Sequence, residues 1–247
     1  MNLHDAIDMR ASTAHPSRAG VEKHSKLIIW CLRWLLALWL GLAGGSAAWA
    51  VDAWAPTTGP WGGEVQALAV SSNGQTVLAG TWGGGVFKSG DGGMSWTVVN
   101  AGLSNLSVRA LALGSDGQTV WAGTDGGGVF KSSTGGTNWA ATNTGLNNLS
   151  VRSLVLGSDG QTLWAGTDGR GVFKSRDGGA SWVPSNTGLG NQTVQSLALG
   201  SDGQTLWAGT QFSGVFMSSD GGENWAAVNT GLGNQNVSSL ALGSDGR

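Results

Sequence analysis

The chain lacks several residue types that enzymes and nucleic-acid-binding proteins depend on. Its 247 residues include no tyrosine, one cysteine, three histidines and four prolines, and only 11% are charged, with a formal net charge of −2. This charge content predicts no nucleic-acid partner, because such binding needs a basic surface. The 44 glycines follow no three-residue period, which excludes collagen, while 14 tryptophans and 40% hydrophobic residues can form a core.

The reactive residues that are present lie together near the N-terminus. They are His4, His15, His24 and Cys31. If the segment that carries them is removed, the mature chain has no imidazole, thiol or phenol. That excludes Ser-His-Asp and Cys-His catalysis, thiolate or imidazole zinc sites, and an internal disulfide. We therefore expect no metal and no cofactor.

Residues 1–50 have the features of a secretory signal peptide that is removed. A positively charged polar segment precedes the apolar run 27–43, and Ala48-Trp49-Ala50 fits a signal-peptidase site. We expect cleavage after Ala50, export to the periplasm or the extracellular space, and no stable membrane association afterwards. In the alternative, 27–43 remains as an uncleaved anchor, although it is short for a span and Arg33 near its middle is costly.

The rest of the chain repeats every 43 residues, which is typical of a repeat architecture. After an entry segment, 51–64, the repeats occupy 65–247, as the units 65–107, 108–150, 151–193 and 194–236 and a partial unit, 237–247. In the third unit, β-like runs at 153–156, 162–167, 172–175 and 182–184 are separated by turns such as Asp177-Gly178-Gly179. Asp-Gly pairs between apolar runs favour hairpins, because glycine tolerates positive φ.

Four strands in about 43 residues correspond to one blade of a β-propeller. The predicted fold is therefore all-β, with four full four-stranded antiparallel blades and a partial closing blade. We expect Leu154, Leu156, Trp164 and Phe173 and their equivalents to be buried between blades. We expect the same of seven repeated tryptophans: Trp96, Trp121, Trp139, Trp164, Trp182, Trp207 and Trp225.

Closure of the propeller is predicted to be incomplete. The entry segment resembles the end of a unit and could supply a closing strand, but the last unit stops just after its first strand. We expect the chain to be a fragment of a longer product. The alternative is an open arc that self-associates through its exposed blade edges.

A recurring motif, Ser-x-Asp-x-Gly-x-x-Trp, resembles the Asp-box, or bacterial neuraminidase repeat. The second copy departs from it, because Thr134 replaces the aspartate. The resemblance is to the propellers of sialidases, sortilin-type receptors, xyloglucanase-type hydrolases and photosystem II assembly factors. It implies a structural hairpin rather than an activity. The motif positions are Ser89, Asp91, Gly93, Trp96, Ser132, Gly136, Trp139, Ser175, Asp177, Gly179, Trp182, Ser218, Asp220, Gly222 and Trp225.

Catalysis is not expected from the residues outside the leader. Retaining sialidases use a tyrosine nucleophile, which the chain lacks. Most acidic and basic residues recur at equivalent positions of the units, whereas a catalytic residue ordinarily interrupts a repeat. The acids outside the pattern are Asp52, Glu64 and Glu223. Each acidic turn offers a single carboxylate, too few for calcium.

The residues that interrupt the repeat share one loop of each unit, and they define a candidate ligand-facing rim. They are Trp82, Asp125, Asp168, Arg170, Gln211 and Phe212. Sequence drift on a solvent loop is the alternative explanation. The expected function is a non-enzymatic scaffold that binds a protein or a glycan. The alternatives are a fragment of a polysaccharide hydrolase, and the sensor ectodomain of an envelope signalling protein, since part of a unit also resembles sensor propellers.

Overall fold

The computed structural model describes residues 59–243, and within them all regular structure is β-strand. Sixteen strands form four sheets of four, called blades 1 to 4 in chain order. Blades 1 and 2 contain β1 Val65–Val70, β2 Val77–Thr81, β3 Gly85–Ser89, β4 Thr97–Val98, β5 Val108–Leu113, β6 Val120–Thr124, β7 Gly128–Ser132 and β8 Ala140–Ala141. Blades 3 and 4 contain β9 Val151–Leu156, β10 Leu163–Thr167, β11 Val172–Ser175, β12 Val183–Pro184, β13 Val194–Leu199, β14 Leu206–Thr210, β15 Val215–Ser218 and β16 Ala226–Ala227.

Each blade is an antiparallel meander in which every strand pairs with the next one along the chain. In blade 3, Trp164 of β10 faces Val155 of β9 on one side and Lys174 of β11 on the other. The turn between the first two strands is held by Asp159, whose carboxylate accepts bonds from the amides of Gln161 and Thr162 at 2.9 Å each. The four-stranded antiparallel prediction is confirmed, although the fourth strand is only two residues long.

The core lies in three seams, a seam being the interface between consecutive blades. Each seam contains one cluster of buried apolar side chains, contributed by both blades. The face of a blade that packs against the next blade along the chain is called its trailing face. The face that packs against the preceding blade is called its leading face. Between blades 2 and 3, Trp121 and Leu146 of the trailing face pack with Leu154, Phe173 and Trp182 of the leading face. Burial of one such side chain stabilises the fold by about 1.5–3 kcal/mol.

Two indole hydrogen bonds in opposite directions cross the seam between blades 2 and 3, and two cross the seam between blades 3 and 4. Between blades 1 and 2 the one such bond runs from Trp139 to the Val99 carbonyl, since Leu78 stands at the position of Trp121. At the seam between blades 2 and 3, Nε1 of Trp121 donates to the carbonyl of Gly178 in blade 3, at 2.9 Å. Nε1 of Trp182 donates back to the carbonyl of Thr142 in blade 2, at 2.8 Å. Because a buried N–H without a partner is costly, each indole both fills the seam and fixes its register.

Two of the seven repeated tryptophans do not fit the expectation that all are buried between blades. Trp96 lies on the leading face of blade 1 and Trp207 on the trailing face of blade 4, and both are only half-buried. The other five are buried. The difference arises because these two indoles belong to the outer faces of the arc, where no neighbouring blade among residues 59–243 covers them. The propeller is therefore unclosed, as predicted.

The segments at either end of the blades are irregular. Residues 59–64 contain no strand, and residues 51–58, the remainder of the predicted closing strand, lie outside the described residues. Residues 237–243 also have no strand assignment, yet Val237 lies against Gly209 and donates to the Thr210 carbonyl at 2.9 Å. The predicted signal peptide, the alternative anchor at 27–43 and Asp52 lie outside the described residues. No helix of residues 59–243 is long and apolar enough to cross a membrane.

Candidate functional site

The residues that interrupt the repeat lie at one end of the blades, which we call the rim. It is formed by the turns between the second and third strands and by the loops that enter each blade. These two kinds of loop are in contact: Trp82 pairs with Ser107, and Asp125 with Ser150, in isolated bridges. Residues from neighbouring units are thereby brought side by side along one end of the arc.

Blade 2 contributes an ion pair to the rim. Arg109 of β5 donates to Asp125, directly after β6, with Nη2 and Oδ2 2.8 Å apart and Nε at 3.2 Å from the same oxygen. The hydroxyl of Ser150, in the loop entering blade 3, donates to the other carboxylate oxygen at 2.6 Å. The hydrogen bond from Ser150 lowers the pKa of Asp125 most, and Arg109 lowers it further. This carboxylate is therefore ionised, and both of its oxygens already accept hydrogen bonds.

Blade 3 repeats the arrangement. Nη2 of Arg152 and Oδ2 of Asp168 are 2.6 Å apart, and Thr193 donates to the other oxygen at 2.9 Å. Arg152, foremost, lowers the pKa of Asp168. A second guanidinium nitrogen of Arg152 reaches Gln195 of blade 4 at 3.2 Å. The ion pairs Arg109–Asp125 and Arg152–Asp168, which we call the charged ladder, therefore lie in adjacent blades at the centre of the rim.

Aromatic side chains lie on either side of this ladder. Trp82 in blade 1 has the Arg109 guanidinium carbon 4.4 Å from its ring centre, a cation–π contact, and still exposes 44% of its surface. Phe212 in blade 4 is 74% exposed. Trp61, in the loop entering blade 1, is exposed as well, although the sequence analysis did not select it. Arg170 is also exposed, and no described residue forms an ion pair with it.

Gln211 contributes to the rim through its backbone. Its amide donates to the Thr193 carbonyl of the loop entering blade 4, at 3.0 Å. Its place after β14 corresponds to that of Asp125 and Asp168, so an amide side chain stands where the two inner blades have a carboxylate. At this position the two inner blades therefore carry a carboxylate and the two outer blades an uncharged side chain, while the exposed Glu64 lies in the loop entering blade 1, where its carbonyl accepts the amide of Trp82 at 2.9 Å.

The Ser-x-Asp-x-Gly-x-x-Trp segments, here called box turns, lie at the opposite end. In blade 3, Ser175 accepts the amide of Gly179 at 2.9 Å and donates to Asp177 at 2.8 Å. Asp177 in turn accepts the amide of Ser181 at 2.9 Å. These contacts satisfy the polar groups of the turn within the motif itself, so the serine and the aspartate hold the shape of the turn.

Blade 2 shows how the box turn tolerates the loss of its aspartate. The hydroxyl of Thr134 lies 3.3 Å from that of Ser132 and accepts the amide of Asn138 at 3.1 Å. Ser132 still accepts the amide of Gly136 at 3.0 Å. A neutral oxygen thus replaces the carboxylate as the acceptor, and the turn keeps its shape.

Because the pKa values of the box-turn carboxylates are lowered in the folded chain, we expect the free energy of unfolding to fall in acid. Hydrogen bonds from Ser181 lower the pKa of Asp177 to about 2, and the amide of Asn224 does the same for Asp220. Since their pKa values lie below 3.8 only in the folded chain, the stabilisation is complete above about pH 5 and is lost as the pH falls through about 4 to 2. Calorimetry should show this decline.

Thr134 provides the control for this acid effect. Replacement of Asp91, Asp177 and Asp220 by threonine, as in blade 2, should make the acid decline in melting temperature shallower. It should not be abolished, because the pKa of Asp116, Asp159 and Asp202 is also lowered, chiefly by threonine hydroxyls. An unchanged slope would show that the box-turn carboxylates do not drive the decline.

A cleft of about 440 Å³ lies between blades 3 and 4 at the box-turn end. Its non-repeating acid, Glu223, is bound by Nη2 of Arg176 at 2.6 Å and by Nζ of Lys174 at 3.1 Å. Lys174 also donates to the Gly221 carbonyl at 2.7 Å, across the seam. Sequence analysis singled out Glu223 as an outlier, and the structure gives it a role in the contact between two blades.

Within 59–243 no group of three or more histidine, cysteine, aspartate or glutamate residues could hold a metal ion. No described aspartate has a raised pKa, which a carboxyl group needs if it is to act as a general acid. The rim offers exposed aromatic surface beside charged groups held in place by ion pairs.

Comparison with known proteins supports the fold. No family model matches the chain, and no curated protein does so. Among solved structures, the extracellular domain of a putative one-component system from B. thetaiotaomicron is 18% identical, with a TM-score of 0.62, over 78% of this chain and 26% of that one. The GH74 xyloglucanase from Xanthomonas campestris is 17% identical, with a TM-score of 0.55, over 71% of this chain and 31% of that one.

A third match is YCF48 bound to D1 peptide, which is 19% identical, with a TM-score of 0.51. It covers 71% of this chain and 57% of that one. The chain therefore spans between about a quarter and just over half of these structures. At such identities the likeness concerns the fold alone, and it agrees with the expected resemblance. The class is an all-β, propeller-type repeat protein with unclosed blades.

Proposed function

We propose that the protein is an exported, non-enzymatic scaffold that binds a protein or a glycan at its rim. The observation that carries the proposal is the exposure of Trp82 and Phe212 at the same end as the ladder of Arg109–Asp125 and Arg152–Asp168. Exposed aromatic surface close to rigid polar groups is the usual composition of a recognition site. Among residues 59–243, no exposed aromatic side chain lies at the box-turn end.

The charged ladder supports recognition rather than chemistry. Both rim aspartates are bound by an arginine and a hydroxyl, which holds their charge and position constant. Trp82 is likewise fixed from one side by Arg109, while part of its surface stays in contact with solvent. A ring held in this way pays little ordering entropy when a sugar face or an apolar side chain packs on it. Arg170 adds a cation that an acidic group of the ligand can approach.

The test is a binding screen on glycan arrays and on extracellular protein extracts, with Trp82→Ala and Phe212→Ala as the variants. We expect each substitution to weaken binding of the selected ligand about tenfold or more, because each removes a large exposed contact. Val183→Ala is the matched control, since Val183 is exposed on the outermost strand of blade 3, away from the rim. Equal binding by all three variants would refute the rim as the ligand surface.

The likeness to a xyloglucanase favours one alternative, a piece of a polysaccharide-degrading enzyme whose acids lie elsewhere. The likeness to an extracellular sensor domain favours the other, a ligand-sensing module. Incubation of the rim-selected glycan with the protein separates the first from a scaffold. Release of reducing ends that survives purification to homogeneity would mean that the chain is an enzyme. Binding without hydrolysis agrees with the scaffold and with the sensor.

A further inference from the structure

The turns and loops of the rim form one continuous surface. In all four blades the amide of an equivalent turn glycine donates to a carbonyl of the loop that follows the blade, at 2.7–2.9 Å: Gly85 to Leu106, Gly128 to Leu149, Gly171 to Gln192 and Gly214 to Gln235. Each loop also contacts the blade that it enters. The amide of Asp125, for example, donates to the Ser107 carbonyl at 2.9 Å. Turns and loops therefore alternate without a break from blade 1 to blade 4.

Exposed apolar side chains follow one another along this surface. The loops entering blades 2 and 3 carry two leucines each, and one of the two packs into a seam: Leu103 and Leu146 are each 5% exposed. The other leucine faces solvent, with Leu106 39% and Leu149 40% exposed. Trp82, in the turn bound to the first of these loops, is 44% exposed. We call Trp82, Leu106 and Leu149 the apolar strip.

The fold does not require apolar residues at the positions of the strip. Where Leu106 and Leu149 stand, the next two units have Gln192 and Gln235, and their carbonyls accept the same glycine amides. The other three blades have a polar residue at the position of Trp82. A polar side chain thus serves the turn equally well. Adjacent apolar side chains that remain in water without a structural need are typical of a surface that a partner covers.

The leucines of the strip distinguish between the two kinds of ligand proposed for the rim. An aliphatic side chain offers a sugar no aromatic face, and sugar hydroxyls buried against it lose their hydrogen bonds to water without replacement, which is unfavourable. An apolar side chain of a polypeptide loses no hydrogen bond when it packs on leucine. The strip therefore favours a protein ligand over a glycan.

Two charges outside the ladder lie towards opposite ends of the rim. Arg170 follows the strip in the turn of blade 3, where its carbonyl accepts the side-chain amide of Asn186 at 2.9 Å, and no described residue forms an ion pair with it. At the blade 1 end, Glu64 is exposed beside Trp82. An acidic group of a ligand is therefore attracted at blade 3 and repelled at blade 1, which gives the ligand a preferred direction.

We infer, on the basis of the proposed rim function, that the ligand is a protein that presents an extended segment to the rim. Large apolar side chains of the segment pack on Trp82, Leu106 and Leu149, and an acidic residue beyond them pairs with Arg170. The segment is extended because each turn or loop contributes a single side chain to the strip and successive blades lie one after another. Its contacts are made through side chains, since the turn amides beside the strip already donate to loop carbonyls.

The first test is selection from a phage library of random linear peptides on the protein expressed from the full-length chain. We expect the selected peptides to combine leucine, phenylalanine or tryptophan with aspartate or glutamate. Leu106→Gln combined with Leu149→Gln should weaken binding of a synthetic selected peptide, measured by fluorescence anisotropy, about tenfold or more. The melting temperature should stay unchanged, because other units have glutamine at this position. Val183→Gln, on the outermost strand of blade 3, is the matched control and should bind as the parent does.

The second test concerns the charge. Arg170→Ser introduces the residue that blade 4 has at the equivalent position, Ser213. It should weaken binding of the selected peptide several-fold and have no effect on a peptide whose acidic residue is replaced by the corresponding amide. This double-mutant cycle isolates the pairing from other effects of the substitution. Equal effects on both peptides would overturn the pairing with Arg170.

Equal binding of the peptide by the parent and by the double glutamine variant would overturn the inference. So would the absence of any selected peptide together with a glycan that binds the parent and not Trp82→Ala. That second result would leave the rim as the ligand surface and change only the class of ligand. If a ligand is found that neither Trp82→Ala nor the double glutamine variant weakens, the proposed rim function fails together with this inference.

Discussion

Trp164→Ala is expected to lower the free energy of unfolding by about 3–5 kcal/mol, the usual cost of removing a large buried aromatic side chain. The indole is 2% exposed and fills the seam between blades 3 and 4, where Nε1 donates to Gly221. The Lys174 ammonium lies 5.4 Å from the ring centre and donates to the same carbonyl. That carbonyl therefore keeps a partner in the variant, and the loss comes mainly from the cavity.

Trp207→Ala is the matched control, since it removes the same side chain at the same position of the next blade. Trp207 is half-buried and lies on an outer face. Urea unfolding at the lowest workable concentration, where association is weakest, should show less than half the loss caused by Trp164→Ala. Equal losses would mean that the tryptophan stabilises its own sheet and not the seam. The internal seams would then no longer be the main source of stability.

The 43-residue period was sufficient to predict the four-stranded blades and the burial between them. It could not predict which tryptophans are buried, because a repeat describes each unit and says nothing about whether a neighbour is present. Trp96 and Trp207 are identical in pattern to buried residues, and they differ only in lying on the outer faces. Their exposure depends on the number of blades in contact, which is a property of the assembly.

The sequence places the six candidate rim residues in one loop of each unit, but it does not predict which side chains they contact, and their role in binding stays a prediction. Arg109 and Arg152 recur at equivalent positions and so do not stand out in the sequence, yet each lies 16 residues before the rim aspartate that it binds. The antiparallel register of the first two strands brings those positions together. A usable signal was present in the sequence, because the arginine and the aspartate occur together in blades 2 and 3. Both are replaced together in blades 1 and 4.

Gly188→Ala is expected to lower the free energy of unfolding by about 2–5 kcal/mol, the sum of two costs. Its φ of +83° lies in the left-handed region, where a side chain costs about 1–2 kcal/mol. The added Cβ would also overlap the carbonyl oxygen of Trp225, which is backbone and cannot rotate away. Overpacking of this kind costs typically about 1–3 kcal/mol. This overlap is removed only if blade 4 moves away from blade 3.

Gly160→Ala separates the two costs. Gly160 has a φ of +67°, and a Cβ there meets no atom within 4 Å, so only the conformational cost of about 1–2 kcal/mol applies. Urea unfolding of both variants should therefore place Gly188→Ala well below Gly160→Ala in stability. If both variants lose the same free energy of unfolding, the seam accommodates the extra methyl group at no cost. The tight backbone contact at Gly188 would then not fix the spacing of blades 3 and 4. A larger loss at Gly188 means that a glycine is required there because the next blade lies against it.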